Sequence, residues 1–210
     1  MSSPSWRAHH EEDLRKDELM KLTTNQQVSV DGVVENNGRW ARSQFDSDAM
    51  SWNDQAYLRA DAFLFGRRTY DLFAGYWGVR DDLENPIVGA LNTKPKYVAS
   101  NTLTDPQWTG TTLLSGDLAT AIQELKARPG GELQVVGSGT LTQWLLEHDL
   151  IDEMNLLIIP IVVGQGARLF PDHGPDLALD LIESRAFPKG ITLQVYRPAG
   201  RPQYATDSAE

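Results

Sequence analysis

The amino-acid sequence predicts an α/β fold, with a mostly parallel central sheet, helices on both faces and an antiparallel hairpin at the C-terminal end. Three observations carry this. Short continuous apolar runs at residues 62–65 (A-F-L-F), 97–99 (Y-V-A) and 133–136 (L-Q-V-V) have the length and texture of strands covered on both faces. Two of these runs meet glycine and pass straight into apolar residues at helical spacing. The last third of the chain is mostly strand, closing with two apolar segments joined by Pro188-Lys189-Gly190.

The elements follow in order. Residues 1–19 are polar and charge-rich without a sustained apolar period, which predicts a flexible extension or a short peripheral helix. From Lys21 the stretch L-T-T-N-Q-Q-V-S-V-D-G-V-V reads as a strand interrupted by the turn dipeptide Asp31-Gly32. Residues 35–54 read as a long polar loop carrying Trp40, Phe45 and Trp52, and loops of that length are often functional. The strand at 62–65 runs into Gly66-Arg67-Arg68-Thr69, after which Tyr70, Phe73 and Ala74 fall at helical spacing. The strand at 97–99 ends in Ser100-Asn101. Residues 117–128 place Leu118, Ile122 and Leu125 on one helical face, and Pro129-Gly130-Gly131 ends that helix.

The strand at 133–136 meets Gly137-Ser138-Gly139-Thr140, and the helix beyond it carries Leu141, Trp144, Leu145 and His148 on one stripe. Residues 154–163 form a long strand rich in Ile and Val that stops at Gly164-Gln165-Gly166. Residues 181–187 and 191–196 form the closing hairpin, and the polar residues 199–210 are expected to be a disordered tail. One domain, residues 20–198, accounts for the whole pattern.

Composition narrows function. A formal net charge of -10 argues against a general nucleic-acid binder or a polybasic membrane binder, since both need a positive field. Any anionic ligand is therefore held by local groups. With no cysteine, the chain has no disulfide, thiolate nucleophile or Cys-type zinc site. His9, His10, His148 and His173 lack metal-ligand spacing, so no metal site is expected. No apolar run has the length of a membrane span or the shape of a secretory signal, and a cytoplasmic location is the expectation.

The two strand-to-helix junctions carry the chemistry. Backbone N–H groups at a helix start have no internal partner and the dipole there is positive, so a phosphate binds if no side chain intervenes. Gly137-Ser138-Gly139-Thr140 meets that need, though a tight glycine turn with Ser138 as helix cap is an equally physical reading. Arg67 and Arg68 stand side by side at the other junction, and guanidinium suits phosphate. Surface ion pairs with Asp61, Asp71 or Glu84 are the alternative. Ser100 and Asn101 sit at a third strand end, where they either bind a ribose phosphate or cap a turn. On parallel strands all three lie on one sheet edge, where open α/β sheets bind ligands.

Taken in order, G-R-R-T-Y-D-L-F-A-G-Y-W, P-K-Y-V-A-S-N-T-L, V-V-G-S-G-T-L and L-I-D-E-M-N-L-L-I-I-P-I-V-V-G-Q-G-A-R-L-F-P, with V-S-V-D-G-V-V near the start, resemble the dihydrofolate reductase-like fold. More closely they resemble the C-terminal reductase domain of bacterial riboflavin biosynthesis enzymes. The resemblance implies a three-layer reductase domain binding NADPH across the strand ends. It implies that Gly137, Ser138, Gly139, Thr140 and Leu141 cradle the pyrophosphate and that Gly66, Arg67 and Thr69 open the other phosphate loop. Ser100 and Asn101, with Arg67 or Arg68, would hold the 2'-phosphate, and Val30-Asp31-Gly32 would line the nicotinamide and substrate cleft. A homodimer, with a contact along residues 154–163, is also implied. The zinc deaminase half of the riboflavin enzymes has no counterpart here.

Asp31, at the end of the first strand, is the expected catalytic carboxylate, with a turn role before Gly32 as its alternative; the chain departs from dihydrofolate reductases in having no clear match to their buried helix carboxylate, Asp48 and Asp54 lying in roughly that region with exposed loop acids as their alternative. Trp40, Trp52, Tyr76 and Trp77 can stack on ligand or serve the core. The expected function is NADPH-dependent hydride transfer to a small pterin-like or pyrimidine-like heterocycle, or to a related carbonyl or imine. The alternatives are a non-catalytic NADP(H)-binding sensor or carrier, and a plain interaction domain.

Overall fold

Alternation along the strand Ala60–Gly66 (β2) sets the layers: Ala62 and Leu64 point to one face and Phe63 and Phe65 to the other, none more than 2% exposed. The computed structural model describes residues 19–35, 37–172 and 174–204; the expectations for residues 1–18, His173 and 205–210 lie outside them. The other strands are β1 (Lys21–Ser29), β3 (Lys96–Ala99), β4 (Thr111–Leu114), β5 (Glu132–Val136), β6 (Glu153–Ile159), β7 (Leu179–Ala186) and β8 (Thr192–Pro198). The helices are α1 (Asn37–Trp40), α2 (Ser47–Arg59), α3 (Arg67–Tyr76), α4 (Pro86–Thr93), α5 (Leu118–Lys126) and α6 (Gly139–Glu147).

The eight strands form one sheet in the order β4-β3-β2-β5-β1-β6-β8-β7. The six from β4 to β6 are parallel, and β8 is antiparallel to both β6 and β7. The fold is the expected dihydrofolate reductase-like α/β architecture. Connections that step from β1 toward β3 place α2, α3 and α4 on one face, and those that step back through β5 to β6 place α5 and α6 on the other, as right-handed crossovers require. Accordingly Ile122, Leu125, Leu141 and Leu145 pack with Leu64, Leu133 and Val135, while Tyr57, Tyr70 and Leu91 pack with Phe63, Phe65 and Val98. A third cluster joins Ala41 and Ala49 to Leu157, Ile159, Leu193 and Val195. All parallel strands end on one edge, which brings the three motif-bearing junctions together.

Three expectations need correction. The polar stretch 35–54 is not a loop: it holds α1, a 3-10 turn at Arg42–Gln44 and the start of α2, whose carboxylate cap Asp46 accepts from the Asp48 and Ala49 amides at 3.0 and 2.9 Å. Only Ala49, Asn53, Ala56 and Tyr57 of α2 are buried, so its inner face is small or polar and leaves little apolar period. The long strand stops at Ile159, before Pro160, rather than at residue 163, and lies between β1 and β8, so both its edges are paired within the sheet. Residues 199–201 are tied down, through backbone bonds between Ala178 and Ala199 and Gly200 and an Arg201–Asp176 ion pair at 3.1 Å. Among the described residues, no helix is long and apolar enough to cross a membrane.

Phe65 stands next to Gly66 and packs its ring 5.6 Å from Phe73 and 6.0 Å from Trp108. Phe65→Ala is expected to lower stability by about 3–5 kcal/mol, read as a shift of the urea midpoint at unchanged slope.

Candidate active site

The β2–α3 and β5–α6 junctions are joined by one hydrogen bond. The Gly66 amide donates to Ser138 Oγ at 2.9 Å across the adjacent strands. To reach it, Ser138 adopts a left-handed backbone conformation (φ 59°), unusual for a residue with a side chain. A Cβ on Gly66 would sit 3.3 Å from that hydroxyl, so glycine keeps the approach open. Because its hydroxyl is used this way, Ser138 does not cap α6. The helix-cap reading of Ser138 is thereby replaced by an inter-strand clamp.

The consequence is visible across the fold. Helices α2, α4 and α5 are capped by the side chains of Asp46, Asn85 and Asp117, whereas α3 and α6 begin without any side-chain cap. Both uncapped starts open on the same cleft, leaving amide donors and the positive helix ends directed at its space. Gly137 has φ 56°, and a Cβ there would lie 3.3 Å from Thr69 Cγ2; one on Gly139 would lie 3.0 Å from Val34 Cγ2. Beneath this loop the buried Gln26 donates to the Gly137 carbonyl at 2.7 Å and to Thr142 Oγ1 at 2.9 Å, fixing its shape from the central strand.

The cleft measures about 1650 Å³ and runs from Gly66–Thr69, Ser100–Asn101 and Gly137–Leu141 to a second end beneath α1 and α2. That exceeds what one small ligand needs. Asn25, Gln27, Asn53, Asp54 and Tyr57 form the polar floor of the second end. Asn25 donates to Asn53 Oδ1 at 3.4 Å, while its own buried Oδ1 has no partner among the described residues. Burial holds the Asp54 carboxyl above the ordinary 3.8, and burial together with the Asp54 charge raises the Tyr57 hydroxyl.

Residues 20–193 match the family model for the RibD C-terminal domain. The chain belongs to the RibD C-terminal domain family. The curated relatives YyaP and YwjB of Bacillus subtilis, both uncharacterized, are 29% and 22% identical over 173 residues; the alignments cover 80% and 81% of this chain and 90% and 94% of theirs. A putative riboflavin biosynthesis protein from Shewanella sp. PV-4 superposes with a TM-score of 0.70 at 26% identity, covering 86% of this chain and 99% of that one. A pyrimidine reductase-like protein from Corynebacterium diphtheriae shares the fold, with a TM-score of 0.61 at 16% identity over 86% of this chain and 92% of that one.

Within this RibD C-terminal domain the sequence candidates fall as follows. Gly66, Arg67, Arg68, Thr69, Ser100, Asn101, Gly137, Ser138, Gly139, Thr140 and Leu141 all line the one cleft. Arg67 pairs with Asp71 at 2.7 Å, as the ion-pair alternative has it, and Arg68 pairs with Glu35 at 3.0 Å. Ser100 Oγ accepts from the Thr102 and Leu103 amides at 3.2 and 3.0 Å, a turn-capping arrangement. Tyr76 and Trp77 reach the cleft, whereas Trp40 and Trp52 pack against the third core cluster.

Asp31 stands outside the cleft lining. Its carboxylate accepts from Ser29 Oγ at 2.7 Å, the Val163 amide at 3.0 Å and the Gly164 amide at 2.8 Å, and Arg168 donates to its carbonyl. These bonds place it as a tie between β1 and the loop after β6. Those absent from the sequence reading are Asn25, Gln27, Asn53 and Tyr57, whose only signal is polarity inside β1 and α2.

The Ser29 hydroxyl and the two amides hold the Asp31 carboxyl far below its ordinary 3.8. A depressed acid stabilises the fold fully above its unfolded value and loses that contribution as pH falls below it. Thermal midpoints of the protein are therefore expected to drop more steeply below about pH 4 than those of Asp31→Asn, whose midpoint at neutral pH is already lower.

Proposed function

We propose that this protein is an NADPH-dependent reductase of small heterocyclic substrates, pterin-like or pyrimidine-like, or of a related carbonyl or imine. One observation carries the reading: α3 and α6 alone among the longer helices start uncapped, and both open on one cleft. The residues fit the cofactor. The Gly139, Thr140 and Leu141 amides, with the Gly137 loop held by Gln26, would take the pyrophosphate; Arg67, Arg68 and Thr69 would take the 2'-phosphate end, with Asn101 beside them. NADPH, when bound, supplies the hydride.

The chain's own residues do the rest. Asn25, Gln27 and Asn53 orient a planar substrate by hydrogen bonds on the floor, and Leu141, Phe73 and Trp77 keep water from the reacting face. Asp54, its carboxyl raised by burial, is the group placed to exchange a proton with a basic nitrogen of the substrate. Asp31 acts on this site through position, by fixing the loop after β6. Cytoplasmic function belongs to the same reading, as does a homodimer, now through the exposed β7 edge with Leu181 and Ile182 rather than through β6.

Quenching of tryptophan fluorescence tests the cofactor half. NADPH is expected to bind at least about tenfold more tightly than NADH, with the preference lost in Arg67→Ala/Arg68→Ala. Equal or absent binding of the two would overturn it, and binding without turnover on any heterocycle would leave a sensor. Asp54→Asn is expected to lower kcat roughly 100-fold at neutral pH, with NADPH affinity unchanged, and to remove the limb of the pH–rate profile that reports this carboxyl.

A further inference from the structure

Glu35 uses both oxygens of its carboxylate. Oε1 accepts from Arg68 Nη2 at 3.0 Å, and Oε2 accepts from the Ala167 amide at 3.2 Å. Arg68 belongs to the start of α3 and Ala167 to the loop after β6, and all three residues line the cleft. The Ala167 amide and then the Arg68 guanidinium hold the Glu35 carboxyl below its ordinary 4.5, so it carries its charge at neutral pH. One side chain thus ties together two segments of the cleft lining.

The two attachments differ in firmness. On the Glu35 side the chain is pinned: the Val34 amide donates to the Ala167 carbonyl and the Leu169 amide to the Gly32 carbonyl, both at 2.9 Å. Gln143 Nε2 holds the same loop through the Arg168 and Leu169 carbonyls at 2.9 and 3.1 Å. Gly166 lets that loop close on the carboxylate, for its φ is 112° and a Cβ there would sit 3.4 Å from Glu35 Oε2. On the other side the Arg68 side chain is 76% exposed against 29% for Glu35, and among the described residues Glu35 is the one group its guanidinium binds. An ion pair with so exposed a member is weak and costs little to break. The neighbouring pair spans nothing, since Asp71 holds Arg67 from four residues along the same helix.

We propose that the Glu35–Arg68 pair is autoinhibitory: Glu35 is the anion that Arg68 must give up before it takes a ligand phosphate, and it sets which ligands are charged enough to open the pair. A phosphate brought to the guanidinium meets the Glu35 charge on the same group, where like charges repel. A phosphate monoester, close to dianionic at neutral pH, outcompetes a single carboxylate for the guanidinium, whereas a ligand with a hydroxyl in that place leaves the pair closed. This rests on the reading that a cofactor phosphate binds at the start of α3; the competition itself is a property of Glu35 and Arg68.

Titrations of NADPH and NADH at low salt, followed by tryptophan fluorescence, test it in the unaltered protein, Glu35→Gln, Arg68→Ala and the double variant. Glu35→Gln keeps the shape of the side chain and a carbonyl for the Ala167 amide, and its thermal midpoint checks that the fold is intact. It is expected to bind NADPH about threefold more tightly than the unaltered protein, as loss of an exposed competing ion pair allows, and NADH with unchanged affinity. Arg68→Ala is expected to weaken NADPH binding, and the double variant to bind as Arg68→Ala does, because the carboxylate acts through the guanidinium. Unchanged or weaker NADPH binding by Glu35→Gln, an equal gain for NADH, or a gain that survives in the Arg68→Ala background overturns the proposal. If Glu35→Gln changes nothing while Arg68→Ala weakens NADPH, the cofactor site stands and the competition alone falls. NADPH binding by none of the four proteins removes both.

Discussion

The bond from the Gly66 amide to Ser138 Oγ is the contact on which the rest of the site depends. It requires two parallel strands to be neighbours, a glycine where they approach, and a serine held in the left-handed region. In return it removes the natural cap from α6 and leaves that helix start open toward the cleft. A conventional cap at Ser138 would fill the donors that now face outward. The same geometry sets the starts of α3 and α6, on opposite faces of the sheet, at the ends of the adjacent strands β2 and β5, so two positive helix ends act on one volume.

Much of this was legible before any coordinates. Glycine punctuates a strand-to-helix junction strongly, so G-R-R-T and G-S-G-T were identifiable, and the parallel order of their strands put them on one edge. What stayed hidden has specific causes. The turn reading of Asp31 and the catalytic one look alike in sequence, and only the Val163 and Gly164 amides, far along the chain, separate them. Helix α2 escaped because alanine and asparagine pack its inner side. The partner of Arg68 is Glu35, on a different element, where the chain order offered Asp71 and Glu84 nearby. Strand β4 is four residues long and half exposed, too short for alternation to speak.

Electrostatics here is a local matter. The molecule as a whole repels anions, yet the cleft is lined by guanidinium groups, helix ends and backbone amides whose fields act within a few ångströms and survive screening best where water is excluded. Such an arrangement selects for ligands that fit closely over those that are merely charged.

The central position of β1 also has a consequence for how the chain is made. It is made before every other strand of its sheet, yet both its neighbours, β5 and β6, come from far downstream. Until they arrive its backbone donors and acceptors have no strand to pair with, and such long-range parallel pairing forms slowly and leaves strands open to wrong partners. The polar run Thr23-Thr24-Asn25-Gln26-Gln27 keeps the waiting segment hydrated where an apolar strand would aggregate. After closure Asn25 and Gln27 line the cleft and Gln26 supports the Gly137 loop, so one stretch of sequence serves solubility first and the shape of the cleft afterwards.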